Sequence, residues 1–346
     1  MTFASQGVQR KEVAIMRILS ESKEPLGARV IAHQLKQYGF ELGERAVRYH
    51  LKLLDERGLT HLIGRRDGRA LTEKGSEELK SALVQDKVGF AISKIETLSY
   101  RTNYDCKQRS GDVPVNISLF PNEEFEKALK IMRPVFEAGI YTSDLVAIAT
   151  EGNNLGEFTV PPGKIGLATV CSIIFNGALL KAGVPVVSRF GGILQMRDRN
   201  PLRFVELIDY SGCSLDPSNI FIKARMTSVG EMVTTGNGEV LANFREIPAI
   251  CQPVADEVID DLNNAGFKGL YMNGYTSEPV CEMPVELNKV GIVLLGGLNP
   301  VAAAEEAGID TDNIAMSTVM EYDKLVHFRE AAIDFRDLKR FWESSR

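Results

Sequence analysis

The chain repeats itself at an offset of 125 residues, and that constrains its fold more than any other feature. Residues 157–184 read EFTVPPGKIGLATVCSIIFNGALLKAGV and residues 282–309 read EMPVELNKVGIVLLGGLNPVAAAEEAGI. Seven of 28 positions are identical, among them Lys164/Lys289, Gly166/Gly291 and Gly183/Gly308. At the same offset Thr102, Gly111 and Val115 match Thr227, Gly236 and Val240. Two copies are too few, and the period too long, for a solenoid. The expected result is one α/β (α+β) domain of two similar halves, about 94–200 and 219–325. Each half is expected to run strand, hairpin, strand, helix, strand, strand, helix. Helices near 122–138 and 248–264 both end at Ala-Gly, a C-cap signal. The apolar strands 164–170 and 289–295 are of the kind covered on both faces.

The segment before the repeat has a different character. Residues 1–85 hold 15 Lys+Arg against 11 Asp+Glu, a net of +4, whereas residues 86–346 hold 25 against 35, a net of −10. A basic head on an acidic body confines any nucleic-acid contact to the head. Residues 9–22 and 27–38 are predicted helices. A third, Glu44–Arg57, sets Val47, Leu51 and Leu54 on one side and Arg45, Arg48 and Lys52 on the other. A strand pair follows over Thr60–Leu71, tipped by Arg65, Arg66, Asp67, Gly68 and Arg69, with Asp-Gly as its turn signal. Thr72 caps a helix of about 73–85. This order predicts a winged helix-turn-helix domain over 1–85, followed by a ligand-binding and dimerisation domain over 86–346, with 86–93 as a short linker. Arg45, Arg48, Tyr49, His50 and Lys52 are the expected major-groove contacts. Arg65, Arg66 and Arg69 are expected on phosphates or in the minor groove of double-stranded operator DNA.

The repeat also marks two equivalent strand-to-helix turns, Val170-Cys171-Ser172 and Leu295-Gly296-Gly297. A helix start carries unpaired N–H groups and suits carboxylates. Arginines near small-residue turns add bidentate partners. The polar clusters between the halves are Ser188-Arg189, Tyr210-Ser211-Gly212-Cys213-Ser214 and Asn243-Phe244-Arg245-Glu246. The five cysteines form no Cys-x-x-Cys pair, so neither a zinc site nor a cofactor is expected. No secretory leader and no apolar run near 20 residues is seen, which predicts a cytoplasmic protein with no membrane partner. Three readings follow. One is a ligand-responsive DNA-binding regulator. Another is an α/β enzyme with a nucleic-acid-binding head that uses Cys171 or Cys213 as nucleophile. The last is a DNA-binding scaffold. The histidines His33, His50 and His61 all lie in the head, and His327 stands alone. That leaves little for catalysis and favours a non-enzyme.

Several long motifs carry a resemblance: RKEVAIMRILSES, GERAVRYHLKLLDERG, LTEKG, TVCSIIFNGALLKAGVPV, FGGILQM, YSGCSLDP and VLANFREIPA. Together they resemble the nitrogen regulatory repressor (NrpR) family of methanogenic archaea, from about residue 9 to about 330. The resemblance implies a repressor of nitrogen-assimilation genes that works as a homodimer and releases its operator when it senses 2-oxoglutarate. It directs the ligand pocket to Cys171, Ser172, Asn176, Arg189, Cys213 and Ser214, where family motifs and small-residue turns coincide. Some members carry two tandem effector domains and this chain carries one. That implies either a different effector response or a second NrpR-type protein for full regulation.

Overall fold

A computed structural model of the chain describes residues 3–22, 25–35, 40–64, 68–81 and 89–335. It divides into two compact units, Met1–Lys87 and Val88–Arg346. Among the described residues no helix is long and apolar enough to cross a membrane.

The head contains α1 (Phe3–Glu21), α2 (Ala28–Leu35), α3 (Glu44–Glu56), β1 (Thr60–Gly64), β2 (Gly68–Leu71) and α4 (Glu73–Ser81). Its small core is the apolar stripe that the sequence displays: Ile15 and Leu19 of α1, Ile31 and Leu35 of α2, Val47, Leu51 and Leu54 of α3, and Leu59. β1 and β2 pair antiparallel, with Thr60 opposite Leu71. Leu26 adds a bridge to Arg69 through two 3.0 Å backbone hydrogen bonds. Thr72 caps α4 as expected, its Oγ1 accepting from the Gly75 N–H at 2.9 Å. The expected tip residues Arg65, Arg66 and Asp67 lie outside the described residues.

The body opens with α5 (Phe90–Arg101), so residues 90–93 begin a helix and do not belong to a linker. Each half therefore starts on a helix rather than on a strand. The first continues as β3 (Asp112–Pro121), α6 (Phe125–Glu137), β4 (Leu145–Thr150), the small hairpin β5 (Asn154–Leu155) and β6 (Phe158–Thr159), β7 (Lys164–Val170), α7 (Ile173–Lys181), β8 (Val187–Arg197) and β9 (Asn200–Asp209). The second runs α8 (Pro217–Lys223), α9 (Val229–Thr235), β10 (Gly238–Pro248), α10 (Gln252–Asn264), β11 (Leu270–Asn273), β12 (Lys289–Leu295), α11 (Asn299–Glu306), β13 (Asp312–Glu321) and β14 (Val326–His327).

The two five-stranded sheets are ordered β13-β3-β7-β4-β14 and β11-β12-β10-β8-β9, with every pairing antiparallel. Each half therefore donates its last two strands to the other's sheet. β8 pairs with β10, and its counterpart β13 pairs with β3. The two large cores are shared in the same way. One packs Phe120, Phe125, Leu129 and Met132 of the first half with Phe244, Val301 and Ala302 of the second. The other packs Val115, Ile117 and Phe175 with Ile259, Leu262 and Ile292.

This exchange brings the two equivalent turns together. The Cys171 N–H donates to the Pro114 carbonyl at 2.8 Å, and the Gly296 N–H donates to the Leu241 carbonyl at 2.8 Å. A Cβ on Gly297 would stand 2.0 Å from the Val170 carbonyl oxygen, so the second turn rests directly on the end of β7. Gly297→Ala is expected to destabilise the protein by about 1–3 kcal/mol, because neither backbone can yield without moving a central strand. Denaturant unfolding measures this. A loss indistinguishable from zero would mean that the turns do not touch.

Candidate functional site

Two surfaces carry candidate chemistry, one in each unit. In the head, Arg45, Arg48, Tyr49 and Lys52 form a single exposed stripe of α3, at the i, i+3, i+4, i+7 spacing, and Tyr49 is 61% exposed. Arg48 pairs with Glu44, and Lys52 lies 3.6 Å from Glu56. These are solvated pairs one turn apart and are weak enough to be exchanged for phosphates.

His50 departs from the expectation. It sits on the opposite side of α3, 6% exposed, with Nδ1 3.9 Å from the buried Glu12 carboxylate. Position 50 follows Val47 by three and precedes Leu54 by four, so helix geometry turns it inward. Burial lowers its pKa and Glu12 opposes that shift. Arg69 is also committed elsewhere. Its Nε donates to Asp55 at 2.7 Å, while Thr60 Oγ1 donates to the other Asp55 oxygen at 2.6 Å. Asp55 thereby ties the end of α3 to both wing strands. Arg57 ties the same end to α1 through Glu12 at 2.8 Å. Arg69→Ala is expected to cost about 1–2 kcal/mol of head stability, read as a lower melting temperature. A variant as stable as the parent would leave Arg69 to the DNA contact that the sequence suggests.

In the body, both turns open on one polar cavity. Its lining includes Asn116, Cys171, Ser172, Tyr210, Asp216, Asn243, Arg245, Gly296, Gly297 and Met316. It encloses about 20 Å³, room for a single water molecule. Asn116, opposite Thr169 of β7, and Asn243, opposite Leu294 of β12, are counterparts on β3 and β10; this register sets the two strands 127 residues apart, so Val115 matches Ala242 and not Val240 as the sequence offset suggests. The Met316 N–H donates to Asn116 Oδ1 at 3.0 Å, and the Tyr210 hydroxyl donates to Asn243 Oδ1.

The residue that breaks the two-fold likeness is Arg245, whose counterpart in the first half is Ser118. Arg245 is 3% exposed. Its Nη1 donates to the Ser172 carbonyl at 2.9 Å and its Nη2 to Ser172 Oγ at 3.0 Å. Its Nε has no partner, and among the described residues no carboxylate pairs with it. Burial pulls its pKa down to about 10, so the guanidinium stays charged at neutral pH. A buried cation without a counter-ion is costly, and an anion in the cavity would relieve it. Ser172 Oγ also accepts from Asn243 at 3.3 Å and makes no side-chain cap on α7.

The other residues expected at the pocket fall outside this lining. Asn176 is buried and donates to Ser188 Oγ at 3.1 Å. Arg189 is held by Glu246, at 3.2 Å, and by Glu286, on the far side of β10 from Arg245. Cys213 and Ser214 lie beside the cavity on the loop that supplies Tyr210 and Asp216. Arg245 was visible as part of a polar strand end, and its i, i+2 relation to Asn243 was the available signal for a shared face.

The chemistry does not favour a cysteine nucleophile. Burial pushes the Cys171 thiol up to about 11. His327, the only histidine of the body, bonds Asp144 at 2.9 Å. Among the described residues no His/Cys/Asp/Glu cluster could hold a metal. Arg245→Met, which keeps the volume and removes the charge, is expected to leave stability unchanged or raise it by about 1–4 kcal/mol in chemical unfolding. A clear loss would make the guanidinium a structural group.

Comparison with known proteins agrees with this architecture. Residues 88–327 match the family of NrpR regulatory domains NRD1 and 2, and residues 13–79 match the ribonuclease R winged-helix domain. The chain is 42% identical over 318 residues to a global nitrogen regulator NrpRI of Methanosarcina mazei, covering 92% of this chain and 98% of that protein. It is 34% identical to a global nitrogen regulator NrpR of Methanococcus maripaludis, covering 91% of this chain but only 54% of the relative. A crystal structure of a nitrogen repressor-like protein from Methanococcus jannaschii superposes with a TM-score of 0.58 at 26% identity, over 69% of this chain and 98% of that one. A winged-helix head, a body built of interlocked halves and a match of this extent make the chain a member of the NrpR family of nitrogen regulators, and not an enzyme.

Proposed function

We propose that the chain represses nitrogen-assimilation genes by binding operator DNA as a homodimer, and that 2-oxoglutarate bound in the body releases it. The observation that carries the sensing role is the unpaired, buried Arg245 in a cavity bounded by two helix starts. A dicarboxylate suits that arrangement. One carboxylate accepts from Arg245 at the start of α7, and the other accepts from the backbone N–H groups of Gly297 and Leu298, which line the cavity ahead of α11. The carboxylates thereby supply the counter-ion that the guanidinium lacks.

The cavity has room for about one water, and 2-oxoglutarate has five carbons and five oxygens. Binding therefore requires the walls to part, and the energy of that movement is what couples ligand to DNA. A ligand shifts such an equilibrium only by its differential affinity for the two shapes. Operator DNA must weaken 2-oxoglutarate binding by the same factor.

In the head, the exposed stripe of Arg45, Arg48, Tyr49 and Lys52 supports α3 as the element entering the major groove. A homodimer supplies two such helices for a palindromic site. A second NrpR-type protein is a further partner in this proposal.

Calorimetry of the full chain tests the sensing role. Millimolar 2-oxoglutarate is expected to bind and to raise the melting temperature, while Arg245→Met abolishes both effects with the fold intact. Absence of binding to the folded parent protein would end the sensing role. Binding that survives in Arg245→Met would move the pocket elsewhere. Arg45→Ala and Tyr49→Ala are expected to lower the affinity for a duplex selected by the chain from a random pool, at fixed salt, by about 1–3 kcal/mol. Unchanged selectivity would remove α3 from the groove.

A further inference from the structure

We infer that Asp216 sets the charge that the cavity accepts: a dicarboxylate enters together with one proton, and Asp216 carries that proton. The inference rests on the proposed sensing role and specifies what 2-oxoglutarate brings with it. Among the described residues that line the cavity, Arg245 supplies the cation and Asp216 the carboxylate. The two are committed to different partners. Arg245 spends both Nη groups on Ser172. Asp216 caps α8, its Oδ1 accepting from the Ser218 N–H at 2.8 Å and the Asn219 N–H at 3.3 Å. Pro217, the first residue of α8, fixes the helix directly behind the cap. The Asp216 side chain is therefore held at the cavity wall by the helix it caps and cannot swing aside when an anion arrives.

The charged and titratable groups around Asp216 come from four elements. They are Lys94 of α5, whose Nζ donates to the Ala315 carbonyl at 2.9 Å, Tyr210 and Cys213 of the loop before α8, Cys171 of the first turn, and Arg245 of β10. Burial raises the Asp216 carboxyl above the usual range, while the two cap bonds and the Lys94 ammonium oppose the rise. Burial also pushes the Cys171 thiol up to about 11 and the Tyr210 hydroxyl well above its ordinary value, so both stay neutral near pH 7. Arg245 stays charged there. A proton gained by this cluster near neutral pH therefore falls to Asp216.

The charge count supplies the driving force. 2-Oxoglutarate carries two ionised carboxylates at neutral pH. With Asp216 also ionised, three carboxylates would share an enclosed site with the Arg245 guanidinium and the nearby Lys94 ammonium. A carboxylate facing other carboxylates in such a site has its pKa raised strongly. Protonation of Asp216 leaves two negative charges against two positive ones, which removes the cost of a buried, unbalanced anion. It also turns the side chain from an acceptor into a donor, and its O–H then serves a ligand oxygen. The proton comes from solvent, and no other bond changes. Because the bound ligand raises the Asp216 pKa, protons are taken up between the free and the bound value, and affinity rises as pH falls.

Calorimetry of the full chain with 2-oxoglutarate tests this. Titrations over about pH 6–8, where the ligand itself stays ionised, are run at each pH in two buffers of different ionisation heat. The difference in heat gives the protons taken up per ligand bound. The parent protein is expected to take up as much as about one proton, with affinity rising by as much as about tenfold for each pH unit lowered. Asp216→Asn keeps the helix cap and offers an amide donor in place of the protonated carboxyl. It is expected to bind with no uptake, with affinity flat across the range and several-fold tighter than the parent at the alkaline end. Asp216→Ser, a second cap that does not titrate, is expected to lose the uptake as well, and a parental melting temperature without ligand identifies the variants that fold. Binding by the parent with no buffer-dependent heat and a flat affinity would overturn the inference and leave the sensing role standing. Uptake that persists in the folded variants would do the same. A folded parent protein that binds no 2-oxoglutarate anywhere in the range would overturn both.

Discussion

The exchange of β8 and β13 between the halves is the constraint on which the rest of the body depends. In each sheet three strands of one half, ending on β3 or β10, pair at that edge with a long strand of the other half. Neither half can complete its own sheet or its own core, so the pair folds as one unit. The exchange also fixes where the two strand-to-helix turns end. They meet at the internal two-fold, close enough that Gly297 tolerates no side chain against Val170. A cavity at such a point lies at the starts of two helices at once.

Symmetry supplies the frame and its breaking supplies the chemistry. Asn116 and Asn243 occupy equivalent positions, yet two residues further on one strand carries Ser118 and the other Arg245. The alternation of a strand then separates charges that are neighbours in sequence. Arg245 faces the cavity. Glu246, 1% exposed, faces the other way and is satisfied by Arg189 and Lys289. A sheet is what allows one buried charge to be paired and the adjacent one to remain open to a ligand.

The head keeps its internal polar bonds apart from the exposed stripe of α3 in a comparable way. Asp55 holds both wing strands through Thr60 and Arg69, and Glu12 holds Arg57. These bonds tie the wing to α3, whose outer stripe is left with solvated side chains. The stability of the head and its exposed charge thus reside in different residues.

Periodicity and repetition alone determined the winged helix, the division of the body into two similar halves and the pairing of the two turns. Val47, Leu51 and Leu54 mark the buried face of α3 because a helix repeats every 3.6 residues. Matched strings at 157–184 and 282–309 can arise only from equivalent elements. Patterns of this kind are local, or compare one local segment with another, so they survive in one dimension. Tertiary structure decided which charges are free. Arg69, Arg189 and Arg245 look alike in a sequence, each an arginine beside small residues. Asp55 claims the first, Glu246 and Glu286 claim the second, and among the described residues no carboxylate reaches the third. His50 likewise lies on the basic helix but turns into the core. The order β13-β3 and β8-β10, the collapse of the cavity and the seating of α5 on it all depend on contacts between segments as many as 221 residues apart. No local pattern encodes a partner at that distance, because pairing is set by which surfaces remain unburied once the nearer elements have formed.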